Sequence, residues 1–233
     1  QTGIGIAIVD AARNEDLMAM GAAFSHLKLV TAGSGVAIGL PQNHKITPSA
    51  GAEKLPKAHG YRAIVSGSCS VATNGQVAHF IQQGGMAVAL DPLALSKNAN
   101  LVDELFALAA AKIQQGPVLV YATASPESVK SVQATLGVVQ AGEMVEAALS
   151  TIARRLVSVG VGQLVVAGGE TSGACVQALN IETMRIGPAI APGVPWCFAL
   201  SDVAKNGGLH ITLKSGNFGQ ENFFTQSFEL LND

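Results

Sequence analysis

Residues Gln163 to Ala174 read Gln-Leu-Val-Val-Ala-Gly-Gly-Glu-Thr-Ser-Gly-Ala, an apolar run that breaks into paired glycines, an acid, two hydroxyls and a third glycine. The pattern predicts a buried strand over Leu164 to Ala167, a close backbone approach at Gly168 and Gly169, and a helix starting near Thr171 or Ser172. The free N–H groups of such a helix start face an anion. Two similar turns follow other apolar runs: Lys214-Ser-Gly-Asn-Phe-Gly219 after Leu209 to Leu213, and Ser66-Gly-Ser-Cys-Ser70 after Ala63 to Val65. Three such loops restrict the chain to folds that deliver several crossovers to one place, as the carboxyl edge of a parallel sheet does.

The rest of the chain fits that restriction. Strands are expected at Tyr61 to Val65, Met86 to Leu90, Pro117 to Tyr121 and Gln163 to Ala167, alternating with helices at Ala72 to Gln83, Leu101 to Gln114, Pro126 to Gln133 and Ala141 to Ser158. This alternation predicts an α/β fold with a mostly parallel sheet flanked by helices. Glu182 to Ile186, Trp196 to Leu200 and Leu209 to Leu213 leave little room for helices between them, so the C-terminal part is expected to be mixed or antiparallel. A last helix, Gln220 to Leu231, is expected to turn Phe223, Phe224, Phe228 and Leu231 inward. Before Tyr61, strands are expected at Ile4 to Val9 and Leu29 to Thr31, with a helix at Asn14 to Leu27 and a short one after Gly33-Ser-Gly35. Gln42 to Gly60 is polar and proline-bearing and reads as a linker. It separates residues 1–50 from a domain over 51–233.

Composition narrows the function. The 233 residues are 48% hydrophobic and 13% charged, enough for a large core, and the formal net charge of -2 provides no basic surface for nucleic acid. Three cysteines without a C-x-x-C, and five scattered histidines, argue against a disulfide framework or a zinc site and fit a reducing cytoplasm. No apolar run is long enough to span a membrane. The chain opens on Gln1 inside an apolar stretch, which reads as a truncated or processed start.

Each motif has two readings. Gly168 to Ser172 is either a phosphate cradle of backbone N–H groups or an ordinary strand-to-helix turn with a Thr or Ser cap. Lys214 is either a cation for phosphate or a solvated lysine beside a glycine turn. Ser66 to Ser70 is either a hydroxyl-bearing ligand loop or a serine-rich helix start, and Cys69 reads as a passive small residue, no histidine being placed to activate it. Pro192-Gly-Val-Pro-Trp196 either shapes a base pocket or turns the chain. Neither G-x-x-x-x-G-K-[ST] nor G-x-G-x-x-G occurs, which disfavours the standard nucleotide folds and a nicotinamide oxidoreductase.

In their order along the chain, Gly67-Ser-Cys-Ser-Val-Ala-Thr-Asn-Gly-Gln76, Gly168-Gly-Glu-Thr-Ser-Gly173, Ile186-Gly-Pro188, Pro192-Gly-Val-Pro-Trp196 and Leu213-Lys-Ser-Gly-Asn-Phe-Gly219 resemble the four-carbon acid sugar kinase family, nearest its 3-oxo-tetronate 4-kinase branch. The resemblance covers Tyr61 to the C-terminus as a nucleotide-binding domain, with residues 1–50 similar to the tail of a substrate-binding domain. It implies ATP-dependent phosphorylation of the terminal 4-hydroxyl of a four-carbon sugar acid, with Mg²⁺. It also implies ATP contacts from Ser66 or Ser68, Gly168, Gly169, Glu170, Thr171, Gly216 and Gly219, with Lys214 for phosphate charge and Glu170 for Mg²⁺ through water. The family's N-terminal Asp-Asp-Phe-Thr-Gly-like motif, tied to the acceptor half of the site, does not occur here. That departure leaves a second expectation, a non-catalytic ATP- or ADP-binding module. Partners on either reading are small molecules, the missing N-terminal domain of the same protein and, given the apolar helix positions, a second copy.

Overall fold

The structure is a computed structural model that describes residues 6–47, 49, 51 and 54–231. The chain divides into two compact units, Gln1–Ala52 and Glu53–Asp233.

The first unit contains helix α1 (Asn14–Ala23) and two short 3-10 turns, Ser34–Gly39 and Pro41–His44. A side chain on Gly21 would meet the Gly39 backbone at 2.2 Å, so the helix and the first turn touch through paired glycines. Asn43 Nδ2 donates to the Gly21 carbonyl at 2.7 Å and Gln42 Nε2 to that of Met18 at 2.6 Å. The expected strands do not form among the described residues. Ile6 to Val9 and Leu29 to Thr31 are irregular and Ile6, Ile8 and Leu29 are exposed, because no neighbouring strand takes up their backbone groups. Ile4 lies outside the described residues. The helix expected to reach Leu27 stops at Ala23, after which Ser25 and Leu27 close turns on Ala22 and Phe24.

In the second unit, seven strands form one sheet: β1 (Tyr61–Ser66), β2 (Met86–Ala89), β3 (Val118–Tyr121), β4 (Val161–Ala167), β5 (Met184–Ala191), β6 (Val194–Leu200) and β7 (Gly208–Lys214). Their order is β2-β3-β1-β4-β7-β6-β5; the first five run parallel, and β6 and β5 are added antiparallel. The expected mostly parallel α/β sheet with an antiparallel end is therefore observed. The crossovers are α2 (Val71–Gln82), α3 (Pro92–Leu95) with α4 (Leu101–Ala110), α5 (Pro126–Leu136) with α6 (Val138–Ser158), and α7 (Gly169–Ala178).

Burial on both faces explains the apolar strands. Every residue of β4 is buried, and successive residues alternate between two cores. Leu164 and Val166 join Ala63, Val65, Leu149, Ile152 and Leu156 on the α6 side. Val165 and Ala167 join Ile64, Phe80, Trp196 and Phe224 on the other. The expected C-terminal helix is reduced to α8 (Phe223–Gln226) and a 3-10 turn at Glu229–Leu231. Its carbonyls are drawn elsewhere: Trp196 Nε1 takes that of Ser227 at 2.7 Å, and Gln76 Nε2 lies 3.0 to 3.1 Å from those of Phe218, Gly219 and Gln220. Phe223, Phe224 and Phe228 are still buried. Pro192 and Gly193 form the hairpin between β5 and β6, with Gly193 at φ 77°, and Trp196 lies in the core beyond them. The chain-turning reading of that motif fits this placement.

Candidate functional site

The parallel strands bring the three glycine loops to one edge. Just past the strand ends the backbone is stitched from strand to strand: Leu90 N to Tyr121 O at 2.7 Å, Ala122 N to Ser66 O at 2.9 Å, Gly67 N and Ser68 N to Ala167 O at 3.0 and 3.2 Å, and Gly168 N to Lys214 O at 2.9 Å. Ser68 lies where the loops meet. A Cβ built on Gly168 would stand 3.1 Å from its backbone nitrogen, and one on Gly216 would stand 2.7 Å from its hydroxyl. Gly168 has φ 128°, a conformation that L side chains rarely adopt, so glycine is required both for its backbone and for space.

Helix α7 starts at Gly169, two residues earlier than expected. Thr171 and Ser172 thus belong to its first turn, and no side chain caps it. The first intrahelical bond is Ser172 N to Gly168 O, leaving the Gly169, Glu170 and Thr171 amides at an open helix N-terminus. Gly169 and Glu170 are exposed, and a Cβ on Gly169 would meet nothing within 4 Å.

The hydroxyls and the lysine are placed differently from one another. Ser66 is fully buried and its Oγ lies 2.7 Å from Thr123 Oγ1, while Ser68 is half-buried at the junction. Ser70 caps α2 by accepting from Thr73 N, and it donates to the Gly216 carbonyl at 2.6 Å. Thr73 Oγ1 donates to the same carbonyl at 2.8 Å. Gly219 lies at the far end of its loop, its carbonyl held by Gln76. Lys214 is fully buried: its ammonium donates to Thr73 Oγ1 at 3.0 Å and to the Ser215 and Gly216 carbonyls at 3.1 and 3.0 Å. Burial pushes its pKa down to about 8. The Cys69 thiol donates to the Gly67 carbonyl at 3.8 Å.

Sequence reasoning missed Glu146. It projects from α6, its Oε1 accepts from Thr171 Oγ1 at 3.1 Å, and its Oε2 is buried without a partner. Burial raises its pKa, the Thr171 bond lowers it, and the charge of Glu170 raises it. The available signal was a carboxylate three and seven residues before the buried Leu149 and Ala153, on the core-facing side of an apolar helix. Beside it opens a cleft of about 750 Å³ whose lining includes Gly67, Cys69, Leu90, Val132, Glu146 and Glu170. Among the described residues no three His, Cys, Asp or Glu side chains gather for a metal. Two neighbouring carboxylates suit Mg²⁺, which takes one or two from protein and the rest from phosphate and water. No described helix is long and apolar enough to cross a membrane.

An uncapped helix start and two glycine loops fused at the carboxyl edge of a parallel sheet define an α/β domain with the layout that suits an anion. The chain matches the profile of the family described as a nucleotide-binding C-terminal domain over residues 63–224, and it belongs to that family. It is 47% identical over 98% of its length to a 3-oxo-tetronate kinase of Cupriavidus necator and 46% identical over 97% to one of Pseudomonas fluorescens, covering 52% of each. The crystal structure of Haemophilus influenzae protein HI1011 superposes with a TM-score of 0.73 at 34% identity, over 97% of this chain and 53% of that one. The chain thus spans about half the length of the curated relatives it matches.

Proposed function

We propose that this chain is the nucleotide-binding portion of a cytoplasmic kinase that transfers the terminal phosphoryl group of ATP to the 4-hydroxyl of a four-carbon sugar acid such as 3-oxo-tetronate. The observation that carries this reading is the uncapped start of α7, open at Gly169 and hydrogen-bonded through Gly168 to the end of β7 and through Ala167 to the loop after β1. The amides of Gly169, Glu170 and Thr171 bind phosphate oxygens, with Gly168, Ser68 and Gly216 flanking them; the Gly168 amide itself is held by the Lys214 carbonyl. Ser66 and Gly219 support the loops through Thr123 and Gln76. Glu170 holds Mg²⁺ through water. When bound, Mg²⁺ neutralises charge on the phosphates.

Phosphoryl transfer depends mainly on positioning and on charge stabilisation, which fixed backbone dipoles supply without reorganising. The acceptor, and the base that takes its proton, belong in this proposal to the part of the longer relatives outside the matched region. On this proposal, residues 1–50 are the C-terminal remnant of that substrate-binding domain with the start of the linker. Titration calorimetry with Mg²⁺ and a non-hydrolysable ATP analogue, in parallel with NAD, tests the nucleotide reading. Saturable binding of the ATP analogue alone is expected, and its absence removes the reading. Binding by the full-length protein without turnover of any tetronate would leave a non-catalytic nucleotide module instead.

A further inference from the structure

A buried lysine usually has a carboxylate partner or loses its charge, because an unpaired ion is costly to desolvate. Lys214 has neither a carboxylate partner nor any exposure. Its three donors meet three neutral oxygens, and the one from Gly216 is also held by Ser70 and Thr73. Among the described residues, none of its hydrogen-bond partners carries a counter-charge. Helix α2 offers Thr73, the loop after β1 offers Ser68 and Ser70 through Gly216, β4 places Ala167 beside it in register, and α8 presents the Phe223 ring at 6.0 Å. Glu146 and Glu170, the carboxylates of the cleft, are not among its hydrogen-bond partners. The ammonium thus holds the carbonyl of Gly216, and a Cβ built on that residue would stand 2.7 Å from Ser68 Oγ at the loop junction.

We propose that Lys214 is a positioning residue with an unspent charge: it organises the Gly216 loop from behind, and an anion in the cradle is its counter-ion, so that filling the cradle also binds a proton. The nucleotide reading supplies only the identity of the anion. With its pKa lowered by burial to about 8, Lys214 in the empty protein loses its proton as pH rises above that value. A nearby anion favours the charged form and returns that proton. Phosphate esters lose their last proton near pH 6, so the ligand takes none up in this range.

The test is calorimetry at pH 8.5 in buffers of different ionisation heat, on a Cys69→Ser background that removes the nearby thiol. The probes are Mg²⁺ with ADP, and sulfate, which does not titrate above neutral pH. The expected result is uptake of a substantial fraction of one proton per ligand and an affinity that falls up to about tenfold per pH unit above the Lys214 pKa. Lys214→Arg should keep the affinity at pH 9 with no proton uptake, whereas Lys214→Met should bind weakly at every pH. If Lys214→Met does not fold, the uptake by the parent protein decides. Binding of ADP without uptake overturns this inference and leaves the nucleotide reading standing. Sulfate binding with uptake but no ADP binding does the reverse. Binding of neither ligand overturns both.

Discussion

Thr171 gives its hydroxyl hydrogen to Glu146 Oε1 at 3.1 Å, tying the first turn of α7 to the middle of α6 while the second oxygen of Glu146 stays buried and unpartnered. The carboxylate thus serves as a brace for the helix start and is held in a place that disfavours its charge. In such an acid the folded pKa lies above the unfolded one. The folded state then binds more protons between the two values, and stability falls as pH rises through that interval. Glu146→Gln keeps an oxygen for Thr171 and removes the titration. Urea midpoints should match the parent near pH 4.5 and exceed it progressively toward pH 7; equal midpoints throughout would show the carboxylate to be well solvated.

His210 gives the opposite slope. It is fully buried, its Nε2 lies 2.9 Å from the Pro56 carbonyl and its Nδ1 has no partner. Burial lowers its pKa, the Pro56 bond raises it, and His59 lowers it further. The unfolded chain therefore binds more protons as pH drops below about 6.5, and stability present above that value is lost as pH falls toward the folded pKa. Denaturation midpoints from pH 7.5 to 5 should decline less in His210→Gln than in the parent. Parallel declines would assign the acid sensitivity elsewhere.

Gly169 and Gly168 separate binding from folding. A side chain at Gly169 points into open space, so Gly169→Val should leave the thermal midpoint within a few degrees while weakening nucleotide binding at least about tenfold, by blocking the helix start. Gly168→Ala forces a Cβ into a φ of 128° and to 2.8 Å from Thr171 Oγ1, and should cost about 1–3 kcal/mol of stability. Unchanged affinity in Gly169→Val would show that no ligand sits there.

Trp196 is the only tryptophan in the chain, and its indole N–H donates to the Ser227 carbonyl from within the core. Trp196→Phe should lose about 1 kcal/mol with that hydrogen bond. In the parent protein its emission should be blue-shifted and should move red in a single step with the circular-dichroism transition. An emission change well before that transition would mean that the C-terminal segment detaches first.

The sheet was legible from apolar runs ending in glycine, because a strand buried on both faces is continuously apolar and a loop forced close to its neighbours must shed its side chain. Gly168 is the clearest case. The partners of the cradle were harder to read. Glu146 lies 24 residues from Glu170 along the chain, and only the packing of α6 against α7 brings the two carboxylates within electrostatic reach. Lys214 shows the opposite limit: its residue type and loop position suggest a solvated cation, but whether its tip points outward or under the loop depends on α2, 141 residues away at Thr73. Ile6 to Val9 and Leu29 to Thr31 have strand-forming residues, but among the described residues no neighbouring strand pairs with them.

The backbone bonds that run from Leu90 through Tyr121, Ala122, Ser66, Gly67, Ala167 and Gly168 to Lys214 extend the sheet one rung beyond its strands. Hydrogen-bonded amides in such a rung, next to the central strands, should be protected from exchange with solvent. On the proposed reading, the floor of the cradle therefore meets an anion with a shape that the sheet itself sets.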